Sequence, residues 1–81
     1  MVNLKFVGKD PESNNGRSPT VFVDADNADL VIQGWTADAE TLAACQKIDI
    51  IPDHESVVRI PSRLIELLRK ACDDVERVRH Q

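Results

Sequence analysis

Apolar residues along this chain fall into short blocks, and their spacing changes from two to three-and-four toward the C-terminus. Residues 3–7, Asn-Leu-Lys-Phe-Val, alternate around Leu4 and Phe6, which predicts a short strand. Residues 20–24, Thr-Val-Phe-Val-Asp, and 29–35, Asp-Leu-Val-Ile-Gln-Gly-Trp, are β-branched and aromatic. Between them stands Ala25-Asp26-Asn27-Ala28, so the pair predicts a β-hairpin with a four-residue turn. In its second arm Leu30 and Ile32 share one face, and Val31, Gln33 and Trp35 share the other. Gly34, near the end of that arm, marks a bulge or a close approach of backbone.

Helical spacing takes over afterwards. Asp38 is placed to cap a short helix over 39–46, with Glu40 in its first turn and Leu42 and Cys45 on one side. Residues 48–51 fit either an irregular connection or a minor strand, and Pro52-Asp53 ends them. Residues 56–60, Ser-Val-Val-Arg-Ile, predict a fourth strand. Pro61-Ser62 then opens the strongest helix. Leu64, Leu67, Leu68, Ala71, Val75 and Val78 recur at three and four, with Ile65 and Cys72 widening the stripe. Glu66 with Lys70 and Asp73 with Arg77 are spaced as i,i+4 pairs. The apolar stripe runs past what a sheet of four short strands covers, a hint of self-association or a partner.

These elements predict one small α+β domain over residues 1–81. Its order is β-β-β-α-β-α, an antiparallel sheet of about four strands packed against the C-terminal amphipathic helix. The segment 8–19 is rich in turn formers, with Asn15-Gly16 a turn signal. At that length it reads as a functional or mobile loop.

Composition narrows the function classes. With 42% hydrophobic and 30% charged residues the chain is globular rather than disordered. No apolar run approaches the roughly 20 residues of a membrane helix. The opening Met1-Val2-Asn3-Leu4-Lys5 lacks a secretory-signal pattern, so a cytoplasmic location is expected. Cys45 and Cys72 do not make a disulfide framework and read as reduced, buried small hydrophobes. The net charge of −4 is carried by the N-terminal half. A pI of about 5.0 argues against direct nucleic-acid binding. That activity would need Arg59, Arg63, Arg69 and Lys70 to converge on one face.

Few residues offer chemistry. Asp24, Asp26 and Asp29 invite a calcium reading. Counted from Asp24, however, Ala28, Asp29 and Trp35 occupy the EF-hand positions that need a ligand, a glycine and a glutamate. The three aspartates read as a solvated hairpin turn. Asp53-His54-Glu55 mixes an imidazole with carboxylates, but neighbours on an extended segment point apart, and it reads as a polar loop. Cys45, His54, Cys72 and His80 match no zinc spacing. The glycines Gly8, Gly16 and Gly34 are scattered and form no phosphate loop. No catalytic site, metal or cofactor is expected. Trp35, the only tryptophan, reads first as a core anchor and second as an exposed binding aromatic.

Three segments carry a resemblance: Gly8-Lys9-Asp10-Pro11 with Ser18-Pro19-Thr20, then Val31-Ile32-Gln33-Gly34-Trp35, then Val57-Val58-Arg59-Ile60-Pro61-Ser62-Arg63-Leu64. Together they resemble small uncharacterised actinobacterial proteins encoded beside helix-turn-helix regulators. The layout from Thr20 to Cys72 is loosely similar to the BldB-type developmental regulators. The resemblance implies a small, non-enzymatic, often self-associating regulatory protein.

The expected function is therefore a regulatory protein-interaction module, an accessory or antitoxin-like partner of a DNA-binding regulator, with a homodimer also expected. Asp24, Asp26, Asp29 and Trp35 are the expected partner-binding residues, since an acidic surface speeds encounter with a basic one. The alternatives are a small-molecule or metal-binding protein using the 9–19 loop, His54 and Trp35, and a structural homodimer.

Overall fold

The structure, a computed structural model, describes residues 2–12 and 18–80. The Asn15-Gly16 turn signal lies outside the described residues. Three strands, β1 (Leu4–Lys9), β2 (Thr20–Asp24) and β3 (Leu30–Gln33), form an antiparallel sheet in that spatial order. The predicted hairpin is β2–β3, with Val23 opposite Leu30 and Thr20 opposite Gln33. β1 adds on the other side of β2, with Leu4 opposite Asp24 and Phe6 opposite Phe22. A register shift falls between Phe6 and Gly8, so Val7 is the bulged residue.

The bulge and the glycine let a helix approach. α2 (Ile65–Arg79) follows a single 3₁₀ turn at Ser62–Leu64 and lies across β1 and β2. A Cβ on Gly8 would fall 2.5 Å from Leu67 Cδ2, so the helix fills the space a side chain would take. Val21, Val23 and Ala71 form the core, with Val7, Leu67, Leu68 and Val75 packed around them. Leu64 is fully buried as well. Each fully buried valine or leucine contributes about 1.5–3 kcal/mol relative to exposure. The helical stripe thus runs as predicted from Leu64 to Val75. Two of its predicted members are corrected: Ile65 is 46% exposed and Cys72 is exposed, because both lie off the arc that meets β2.

The stripe also holds a charge. Asp74 is 3% exposed and faces the sheet, where Lys5 Nζ lies 3.1 Å from its carboxylate. Arg77 closes on the other carboxylate oxygen, which corrects the expected pairing of Arg77 with Asp73. Likewise Glu66 pairs with Arg69, at 3.0 Å, rather than with Lys70.

The predicted four strands do not lie in one sheet. After β3 the chain continues into β4 (Trp35–Thr36), and β4 pairs with β5 (Val58–Arg59) in a second, two-stranded ladder. Gly34 is the joint between the ladders. A Cβ there would meet the Arg59 carbonyl oxygen at 2.6 Å, so the close backbone approach read from the sequence is present. Between β4 and β5 runs α1 (Ala39–Ile48), two residues longer than predicted. Asp38 caps it as expected, its carboxylate accepting from the Thr41 amide at 2.7 Å.

The two parts differ in packing. Every buried residue lies between Gly8 and Asp24 or between Leu64 and Asp74, among the described residues. From Ala25 to Arg63 none is buried, and α1 buries none. The radius of gyration is 14.2 Å, against about 12 Å for a compact chain of this length. The arm formed by β4, α1 and β5 therefore extends beyond the core. No described helix is long and apolar enough to cross a membrane.

Candidate interaction surface

Strand alternation gives the three-stranded sheet two apolar faces. One carries Val21 and Val23 and is covered by α2. The other carries the cross-strand row Phe6, Phe22 and Val31, with Leu4 beside it. No described element covers this outer row. Phe6 is 57% exposed, and Phe22 and Val31 are half-buried. The Phe6 and Phe22 rings meet edge to face, with centroids 6.1 Å apart. Such pairs contribute about 0.5–1.5 kcal/mol beyond their area.

The acidic turn closes one end of this face. Asp24 is 6% exposed, and its carboxylate accepts from the amides of Asp26 and Asn27 at 2.9 and 3.0 Å and from Asn27 Nδ2 at 3.3 Å. These bonds, the Asn27 amide foremost, hold its carboxyl below the usual carboxylate range. Asp24 thus builds the turn, while Asp26 and Asp29 carry the exposed charge. Ala28 donates to the Asp24 carbonyl at 2.9 Å and sits at φ 60°. Ala25 donates to the Asn3 carbonyl at 2.9 Å, which ties the turn to the start of β1.

Trp35 does not join this group. It lies beyond the opposite end of β3, opposite Arg59 in the second ladder, and is 47% exposed rather than a core anchor. A two-stranded ladder under a short helix has no interior deep enough to enclose an indole. The structure therefore assembles the aspartates beside the sheet face and places Trp35 on the arm.

The arm frames two shallow grooves. One, of about 370 Å³, lies between α1 and β5 and is lined by Asp38, Glu40, Thr41, Ala44, Cys45, Ile48 and Arg59. Arg59 crosses it and donates to Thr41 Oγ1 from Nη2 at 2.8 Å and from Nε at 3.2 Å. The Thr41 amide, with Arg59 nearby, holds the Asp38 carboxyl below its usual range. The other groove, of about 250 Å³, lies between α1 and the segment leading to β5, with Leu42, Ile51 and Val57 in its lining.

His54 is on the surface with Glu55, 3.8 Å away, as a polar loop would place it. Among the described residues no group of three or more His, Cys, Asp or Glu is arranged to hold a metal ion. The cations considered for nucleic acid are partly engaged: Arg63 with Asp10 and Glu12, and Arg69 with Glu66.

The outer aromatic row was the part missed from sequence. Its signal was present in Val21-Phe22-Val23 and Leu30-Val31-Ile32, unbroken apolar triplets where a sheet with one wet face alternates. Comparison with protein-family models, curated proteins and solved structures gives no match to this chain.

Proposed function

We propose that this protein is a non-enzymatic, regulatory protein-interaction module, and that the outer face of its three-stranded sheet is the recognition surface. The observation that carries the reading is the uncovered row Phe6–Phe22–Val31 on a sheet whose β2 and β3 strands are apolar on both faces. Strands of that pattern suit a sheet covered on both sides, and α2 covers one. The exposed Asp26 and Asp29 at the end of the row favour a partner with an apolar contact and a basic rim. A DNA-binding regulator offers such a rim, and the resemblance to proteins encoded beside helix-turn-helix regulators points the same way.

The test is quantitative capture from native lysate with three baits: wild type, Phe6→Lys, and Asp26→Asn/Asp29→Asn. The expected result is a DNA-binding protein retained by wild type and lost with Phe6→Lys. The double aspartate variant should retain it more weakly, mostly at low salt. A partner bound equally by Phe6→Lys would overturn the assignment of the face. Both variants alter exposed side chains, so their circular dichroism should match wild type.

A further inference from the structure

The arm presents a different problem from the sheet face. Ile48, the last residue of α1, and Ile50 just after it are 88% and 83% exposed, the largest values among the described large hydrophobic residues. Thr41, Ala44, Cys45 and Ile48 lie at spacings of three and four and form one face of α1, bordering the larger groove. None of these four is buried. A ten-residue helix gains too little from its own hydrogen bonds to stand on propensity, so its stability must come from packing.

The chain's accessible area indicates the size of what is missing. It is 6298 Å², whereas a compact chain of 9.0 kDa exposes about 4,900 Å². The excess, roughly 1,400 Å², is larger than the about 800 Å² per partner that a stable protein pair buries. The arm shares in this excess, since nothing between Ala25 and Arg63 is buried.

The charge pattern names the occupant. Glu40 lies in the first turn of α1 and Lys47 in its last, on the same flank of the Thr41–Ala44–Cys45–Ile48 face. When two copies of such a helix pack antiparallel about a two-fold axis, like flanks meet. Glu40 of each copy then approaches Lys47 of the other, and the two helix dipoles oppose. Parallel packing would bring opposite flanks together, so the Glu40–Lys47 attraction across the contact would not form. The small Ala44 and Cys45 fall at the axis, which lets the backbones come close, and Ile48 reaches across toward Thr41 of the other copy.

We infer that a second copy of this chain covers the arm: the protein is a two-fold dimer whose centre is an antiparallel α1–α1 contact. The sheet's outer face is left free in this arrangement, so the dimer stands or falls independently of the partner-binding reading.

Sedimentation velocity over a concentration series, with cysteine cross-linking, tests it. Wild type should sediment as a dimer in the micromolar range. Ile48→Glu should weaken dimerisation at least tenfold with an unchanged circular dichroism spectrum, because that side chain is almost fully exposed in one copy. Glu40→Lys should weaken it too, and Glu40→Lys/Lys47→Glu should restore it. In a Cys72→Ser background, a short bis-maleimide should join two chains through Cys45. A monomer at high micromolar concentration would overturn the inference. So would a dimer that persists in Ile48→Glu without a Cys45 cross-link, since it would form through another face, such as the outer sheet.

Discussion

Arg63 holds Asp10 with two parallel hydrogen bonds, Nε to Oδ1 at 2.7 Å and Nη2 to Oδ2 at 2.6 Å. The Asp10 side chain is fully buried, and Arg63 is partly exposed and also reaches Glu12 at 2.9 Å. The same aspartate accepts from the Glu12 amide, and its own amide donates to the Pro19 carbonyl. Asp10, through its amide and its carboxylate together, therefore ties both ends of the segment after β1 to the entrance of α2. The Asp10 hydrogen bonds raise the Arg63 pKa above its ordinary value.

Removing one member of this pair should cost more than removing both. Arg63→Ala takes the two-pronged guanidinium contact from a buried carboxylate, whereas Asp10→Asn/Arg63→Ala removes that carboxylate's charge as well. The expected order of melting temperature is wild type, then Arg63→Lys, then the double variant, then Arg63→Ala. Lysine ranks below arginine because a point charge cannot make the two-pronged contact. Thermal unfolding of the four proteins measures the order. A double variant less stable than Arg63→Ala would show that the two side chains are not coupled in this way.

Gly34→Ala should loosen the arm and leave the core standing. The added Cβ meets a backbone oxygen, that of Arg59, and the β4–β5 ladder cannot shift without losing its pairing. Overpacking of this kind costs about 1–3 kcal/mol. Trp35, the single tryptophan, sits on β4 and reports on the arm by its fluorescence. Circular dichroism is dominated by α2 and α1. In urea, the fluorescence midpoint should fall well below that of wild type, with a smaller change in the dichroism. Unaltered fluorescence unfolding would mean that the joint tolerates a side chain.

What was legible in the sequence was local. The hairpin followed from strand composition around Ala25–Ala28, the α1 cap from Asp38, and the approach at Gly34 from a glycine inside a strand pattern. The pairing of β5 with β4 was not legible, because a two-residue ladder depends on where the chain returns after α1. Asp74 was hidden for a similar reason. It falls three residues after Ala71 within the apolar stripe, but its partner Lys5 is 69 residues away. The acidic cluster was found, yet only the folded turn distinguishes Asp24, bound to its own loop, from the exposed Asp26 and Asp29. Phe6 and Phe22 were assigned to strands without a face, since which side of a two-faced sheet takes the helix is decided by Gly8 and the Val7 bulge.

Ala28→Gly should stabilise the protein. Ala28 holds a left-handed conformation, φ 60°, that costs an L-residue about 1–2 kcal/mol. Glycine removes that strain but adds about 0.4–1 kcal/mol of unfolded-state entropy. The net gain should lie between about 0 and about 1.6 kcal/mol, with each kcal/mol raising the melting temperature by roughly 4–8 °C in a domain of this size. Ala28→Val should move it the other way, because a β-branched side chain fits this region worst. Differential scanning calorimetry on both variants decides the matter; equal melting temperatures would show that the turn relaxes around residue 28 without cost.

Acid should unfold the protein through a small set of carboxylates. Asp74 is held below the usual carboxylate range by its hydrogen bonds from Arg77 and Lys5, and Asp24 and Asp38 by backbone amides. In each case the folded pKa is lower than the unfolded one, so between the two the unfolded chain binds more protons. Stability from these groups is complete above about pH 4 and drains away as pH falls through their folded values. Asp74→Asn removes one contributor. That variant should be less stable than wild type at neutral pH, where Lys5 and Arg77 lose their partner, and its further loss on acidification should be smaller. Urea unfolding at intervals from neutral pH to about pH 2 draws both curves. They should converge at the acid end, because there the wild-type Asp74 is itself neutral; parallel curves would mean that Asp74 titrates alike in the folded and unfolded chains.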